Sequence, residues 1–196
     1  PLRNFFIKRY LRYADKVFAV SRALKEALEQ NGIKNVGINY TGIDVADWQV
    51  GPEKIEEFKK KHNLHSKKVI FFGGRISALK GSEQINQAMA KIKEAIPEAV
   101  LLIAGTEGVG WLSGDELKAA YHCADIVVVP SVYLDPLPRS VLEGMACQKP
   151  VVGTCYGGTP EMIQDGITGF IVNPFNTDLM AEKIIDLLKN PEKASR

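Results

Sequence analysis

The sequence predicts an α/β fold, a doubly wound parallel sheet with helices on both faces. Short runs rich in Val, Ile, Leu and Phe recur along the chain without polar alternation. Runs of that kind mark strands covered on both sides, as in a parallel sheet. Segments of helical period separate them, and three of the runs end in glycine- or proline-rich turns. Open parallel sheets bind their ligands at such strand ends.

The elements follow in order. Arg3, Lys8, Arg9 and Arg12 fall on a predicted helix over residues 1–16. Its basic face could rest on acidic lipid, but a solvated face or a severed domain contact explains it better. Val17 to Val20 reads as a strand. Ser21 caps the helix that follows, through Arg22, Ala23 and Leu24, and Asn31-Gly32 closes it. Val36 to Tyr40 and Val69 to Phe72 are the next strands. Ile85, Ala88, Met89 and Ile92 then repeat at 0, +3, +4 and +7, one face of a helix. Val100 to Ala104 and Ile126 to Val129 are strands, and a helix begins near Arg139. Val151-Val152 precedes Thr159-Pro160-Glu161, which reads as a cap, a proline in the first helical position and an acid in the first turn. After Phe170 to Val172, Thr177 is expected to cap a helix whose Met180, Ile184, Leu187 and Leu188 share a face. Residues 17–196 thus form one Rossmann-like domain in this reading, with the 1–16 helix leading in.

Composition narrows the function. The 196 residues are 45% hydrophobic and 24% charged, which excludes a disordered chain, and the net charge of +2 argues against nucleic-acid binding through bulk charge. No run approaches the ~20 apolar residues of a membrane span, and the first residues lack a secretory signal. Cys123, Cys147 and Cys155 form no C-x-x-C pair; an odd count of buried small residues fits a reducing cytoplasm. The missing initiator Met leads to the expectation of an excised fragment.

Chemistry concentrates at three strand ends. Gly73 and Gly74 let the backbone approach a ligand, and Arg75 and Lys80 place two cations on the same loop. A guanidinium forks onto phosphate oxygens while an ammonium supplies a compact charge; a solvated turn is the plainer alternative. The second end carries Asp135 in a loop with Pro130, Pro136 and Pro138, then a helix from Arg139 containing Glu143. Backbone N–H groups of residues 137–140 would face a ligand from the helix start. Two acids so placed can accept hydroxyl hydrogen bonds from a sugar or ribose, or serve as a cap and a surface residue. The third end, Gly153 to Glu161, is equally compatible with a structural turn. His62-x-x-His65 lacks acid or Cys partners at metal-ligand spacing, His122 reads as a helix-surface residue, and Trp48 and Trp111 read as packing residues. No Ser-His-Asp arrangement and no G-x-G-x-x-G pattern appears.

Together these stretches resemble the C-terminal, donor-binding half of a family 4 (group 1) retaining glycosyltransferase, one half of a GT-B fold. The matching segments are ADKVFAVSRALKEAL (14–28), GID (42–44), FFGGRISALKG (71–81), ADIVVVPS (124–131), VLEGMACQKPVV (141–152) and GGTPEMIQDGITGFIV (157–172). The resemblance implies that Arg75 and Lys80 bind the diphosphate of a UDP- or GDP-sugar and stabilise it as leaving group. It implies that Glu143 holds the ribose, that Asp135 contacts the transferred sugar, and that Gly73, Gly74 and the 136–139 backbone (Pro136, Leu137, Pro138, Arg139) line the donor. No metal and no separate cofactor is implied. A hexosyl unit would pass to an acceptor sugar, lipid or polysaccharide held by an N-terminal domain, at the inner face of the membrane or free in the cytoplasm. Asp135 stands where the family usually has the longer Glu, and the segment after Gly105 is shorter than usual. The chain alone is therefore expected to bind donor without efficient turnover. A non-catalytic nucleotide-binding or interaction module of the same fold is the alternative.

Overall fold

The apolar runs become strands in the computed structural model, which describes residues 9–11, 13–73 and 77–194. Most of the predicted 1–16 helix lies outside the described residues. Strands β1 (Val17–Ala19) and β2 (Val36–Ile38) pair in parallel as a small separate sheet, joined by α1 (Arg22–Gln30). Ala19, Ile33 and Val36 are buried between them, with Leu24 and Leu28 of α1 packed on top. A 3-10 turn at Ala46–Trp48 and α2 (Pro52–Lys61) lead to the main sheet.

That sheet contains β3 (Lys68–Phe72), β4 (Ala99–Ile103), β5 (Ile126–Val129), β6 (Val151–Thr154) and β7 (Gly169–Val172), all parallel, in the order β4-β3-β5-β6-β7. Successive side chains of a strand point to opposite faces, and two cores result. Ile70, Phe72, Ile126, Val128 and Val152 pack against α3 (Ser82–Ala95) and α6 (Thr177–Lys189) through Ile85, Met89, Ile92, Met180 and Ile184. Val69, Phe71, Val127, Val129 and Val151 face α2, α4 (Gly114–Cys123) and α5 (Arg139–Ala146) through Phe58, Ala120, Tyr121 and Val141. A short α7 (Pro191–Ala194) ends the described chain.

The caps are partly as expected. Ser21 accepts a hydrogen bond from the Leu24 N–H at 3.1 Å, and Asn31 closes α1. The cap of α6 is Asn176, not Thr177: its side-chain oxygen accepts from the Leu179 N–H at 3.0 Å, and Thr177 enters the first turn. Thr159-Pro160-Glu161 forms only a 3-10 turn, with Thr159 buried instead of capping. Glu161 reaches instead to a distant helix, as described below. No helix among the described residues is long and apolar enough to cross a membrane.

Candidate functional site

From β3 the chain crosses to β4 on one side, then returns to β5 on the other. Strand order therefore reverses between β3 and β5, the position where doubly wound sheets leave a crevice beyond their carboxyl ends. The three turns singled out in the sequence follow β3, β5 and β6, which are adjacent in the sheet.

The turn after β3 begins at Gly73; Gly74 and Arg75 lie outside the described residues. Ser77 then caps a 3-10 turn at Ala78–Lys80, accepting from the Lys80 N–H at 3.3 Å. This turn is bonded to the loop after β5, because the Val132 N–H donates to the Leu79 carbonyl at 2.9 Å. The bond brings Lys80 and Asp135 together: Lys80 Nζ donates to Asp135 Oδ2 at 2.5 Å. The Asp135 side chain is 9% exposed and that of Lys80 33%. Ser131 Oγ lies 3.5 Å from the same carboxylate oxygen, and the Tyr133 ring lies beneath the ammonium at 5.5 Å. Burial pulls the Lys80 ammonium pKa down, but the hydrogen bond and charge of Asp135 outweigh it and hold the value above that of a free lysine. Asp135, expected on a sugar, is thus occupied with Lys80.

The loop after β6 completes the arrangement. The Gly158 N–H donates to the Asp135 carbonyl at 2.9 Å. Gly157 has φ +67, and a side chain there would run into the Asp135 backbone. Beyond Asp135, Pro136, Leu137 and Pro138 lead into α5, with Pro138 at the cap position. Proline has no N–H, so the donors at this helix start are Leu137, Arg139 and Ser140. Residue 138 drops out of the expected set. The first bond of the helix runs from the Val141 N–H to the Pro138 carbonyl at 3.1 Å.

Glu143, one turn into α5, is held by two groups. Tyr121 Oη donates to Oε2 at 2.7 Å, and Arg139 Nε donates to Oε1 at 3.3 Å. Tyr121 is 1% exposed, edge-on to Phe71 at 4.7 Å and to Trp48 at 5.4 Å. Burial, with the charge of Glu143 beside it, pushes its hydroxyl well above the usual tyrosine range, so it stays a donor. Gly73 makes room for it: a Cβ there would lie 2.6 Å from Tyr121 Oη.

Sequence reasoning missed Tyr121 and the long reach of Glu161. A tyrosine on the apolar face of α4 was the available signal, since a buried phenol needs a partner. Glu161 has no such local signal. Its Oε1 accepts from the Ala23 N–H at 2.9 Å, while Oε2 accepts from the Arg22 N–H at 2.8 Å and from Tyr40 Oη at 2.9 Å. It caps α1 from across the molecule. Of the other residues weighed, Trp48 packs as expected, but Trp111 is 67% exposed. His122 is half-buried and bonds the Trp48 carbonyl at 2.9 Å; His62 packs on Phe58. Cys123 and Cys147 are buried and pushed up to about 11 by burial, whereas Cys155 is exposed, against expectation. Among the described residues no three His, Cys, Asp or Glu side chains are grouped to hold a metal ion.

Comparison with known proteins agrees with this architecture. The sequence model described as glycosyl transferases group 1 matches residues 67–190. Spore coat protein SA of Bacillus subtilis is 28% identical over 189 residues, covering 80% of this chain and 50% of that protein. An uncharacterised glycosyltransferase of Methanocaldococcus jannaschii is 32% identical over 192 residues, covering 85% and 49%. The chain thus spans about half the length of these curated relatives. Among solved structures, Anabaena HepE in complex with UDP and glucose superposes with a TM-score of 0.89 at 21% identity, over 98% of this chain and 58% of that one. The C-terminal domain of a group 1 family protein (LpcC) from Francisella tularensis superposes with a TM-score of 0.66 at 20% identity, over 79% and 91%. With its parallel five-stranded sheet, its strand-end turns and a family match over most of its length, the chain belongs to the group 1 glycosyltransferases and has their Rossmann-like, GT-B type of fold.

Proposed function

We propose that this chain is the donor-binding domain of a retaining, metal-independent glycosyltransferase that uses a nucleoside-diphosphate sugar. The observation that carries the reading is the convergence at the β3/β5 crevice of a lysine cation, the N-terminus of α5 and the Glu143 carboxylate, on loops bonded to one another. A diphosphate needs cations and N–H donors, and a ribose needs an acceptor for its hydroxyls; the crevice offers both. Anabaena HepE, of the same fold, was solved with UDP and glucose, and a matched Mycolicibacterium smegmatis relative is described as GDP-mannose-dependent. Both support a nucleotide-sugar donor, with the base left to the experiment.

In the complete enzyme the bond between the anomeric carbon and the diphosphate oxygen would break first, leaving oxocarbenium character on the sugar. Lys80, Arg75 and the α5 N–H groups would take up the charge of the departing diphosphate, the part a divalent ion plays elsewhere. An acceptor hydroxyl arriving on the same face would pass its proton to an oxygen of the departing diphosphate and form the new bond with retained configuration. Asp135 would reach the sugar only while sharing Lys80. The acceptor belongs to the rest of the enzyme, so this chain binds donor with little turnover.

Calorimetric titration with UDP, GDP, ADP and UMP, with and without EDTA, tests the proposal. Diphosphate-selective binding that survives EDTA and is lost in Arg75→Ala and Lys80→Ala is expected. Equal losses of nucleoside and diphosphate affinity in those variants would remove the leaving-group assignment. No binding to any nucleotide would favour a non-catalytic module.

A further inference from the structure

The two oxygens of Glu143 are held very differently. Oε2 accepts from a phenol that is fully buried, wedged between Phe71 and Trp48, with its hydroxyl under Gly73. Among the described residues, Oε1 accepts the longer, 3.3 Å bond from Arg139, whose side chain is 62% exposed and four residues away on the same helix. The Glu143 side chain is only 13% exposed, but the guanidinium reaches water, and an i,i+4 pair with one end in solvent contributes little. The carboxylate therefore has one fixed oxygen and one that a ligand can claim.

A carboxylate on a helix can swing about its own side-chain bonds, and a hydrogen bond to a rotating acceptor loses much of its advantage to ordering entropy. Tyr121 removes that freedom without facing the crevice itself. Resting on the reading that this crevice takes a nucleoside diphosphate, we infer that Tyr121 is a positioning residue for the ribose: its hydroxyl pins Glu143 Oε2 so that Oε1 is presented to the sugar's vicinal hydroxyls. Gly73 belongs to the same device, because any side chain there would push the phenol hydroxyl aside.

The test compares UDP with 2′,3′-dideoxy-UDP, which lacks the hydroxyls, by calorimetry on this chain. Tyr121→Phe keeps the ring contacts and removes only the donor. The expected result is about a tenfold loss of UDP affinity, in the range of a hydrogen bond to a charged group partly transmitted to the ligand, with dideoxy-UDP affinity unchanged. In a Glu143→Ala background Tyr121→Phe should have no further effect, since Tyr121 acts only through that carboxylate. Should Tyr121→Phe melt too low to titrate, Gly73→Ala displaces the hydroxyl without deleting it, and the preference for UDP over dideoxy-UDP should collapse in the same way. Unchanged preference for UDP in the variants, equal loss of both ligands, or further loss in the Glu143→Ala background overturns the inference while leaving the donor site standing. If the wild-type chain binds neither nucleotide, the donor-site reading fails and takes the inference with it. If it binds both equally, Glu143 does not hold the ribose and the inference falls alone.

Discussion

Lys80 and Asp135 form one ion pair with unequal surroundings, and the inequality predicts an asymmetric response to mutation. Removing one partner of a buried pair costs about 3–5 kcal/mol, because the other is left charged and uncompensated. Asp135 is the buried partner, with its side chain 9% exposed and, among the described residues, Ser131 Oγ at 3.5 Å as a second side-chain donor. Lys80 is a third exposed and can turn its ammonium to water. Lys80→Met strands the carboxylate and should cost about 3 kcal/mol, the low end of that range because one partner reaches solvent. Asp135→Asn leaves a solvated lysine and a neutral amide and should cost about 1 kcal/mol. In a chain of this length each kcal/mol moves the melting temperature by about 2–4 °C, so the two variants should separate clearly in circular-dichroism melts at pH 7. Urea titration should give the same ranking. The double variant Lys80→Met/Asp135→Asn should be more stable than Lys80→Met alone, since the stranded charge is gone. Equal costs, the reverse order, or additive costs in the double variant would refute the placement of Asp135 as the dependent member of the pair.

Two other consequences are testable on the same material. Glu161→Ala removes both oxygens that cap α1 from a distance and should cost about 1–2 kcal/mol in urea titration, in the range of a lost cap. Burial pushes the Glu161 carboxyl up, but the Ala23 and Arg22 N–H groups and Tyr40 outweigh it and hold it below the ordinary glutamate value of 4.5. Its contribution is therefore complete above that value and lost as pH falls through the depressed one, so the gap between wild type and variant should shrink below about pH 4.5. A gap that widens on acidification would contradict the geometry. Thiol titration at pH 8 should find only the exposed Cys155 reactive in the folded chain, because Cys123 and Cys147 are buried with values near 11; all three should react in denaturant. Fast reaction of more than one thiol in the folded state would be incompatible with this core.

What could be read from the sequence had local causes. Ser21 caps α1 because its hydroxyl and the Leu24 N–H are three residues apart, and the strands declare themselves through runs of apolar residues. The glycines after β3 and β6, and the acids at 135 and 143, stand out because they gather at the ends of three strands, although each alone is compatible with a structural turn or cap. The partners of those acids were not legible. Tyr121 lies 22 residues from Glu143, and Lys80 lies 55 from Asp135. Each pair meets only because β3, β5 and their helices are neighbours in the sheet. Glu161 does lie in the first turn of its own short 3-10 turn, but its partners at residues 22 and 23 were not legible for the same reason: they are more than a hundred positions away. Proline at 138 was the opposite case, a purely local fact, since the missing N–H follows from the residue type alone.

These long-range bonds also explain why separate loops can act as one site. The turn carrying Lys80 is bonded to the 131–135 loop through Leu79 and Val132, and the same loop is bonded to Gly158 through the Asp135 carbonyl. Three residues beyond Gly158, Glu161 grips the start of α1 and Tyr40. Each of these hydrogen bonds alone is worth about 1 kcal/mol. Fixed at one end by the main sheet and at the other by the β1–β2 unit, the loops have few independent ways to move. Under the proposed donor-binding role, a crevice that places a cation, a helix N-terminus and a carboxylate around one diphosphate and its ribose would benefit from that arrangement, because ordering done during folding need not be repeated when the ligand arrives. The shorter Asp135 fits the same logic. With one methylene fewer than Glu, its carboxylate stays close to its own loop, where it meets Lys80 and fixes the cation in place.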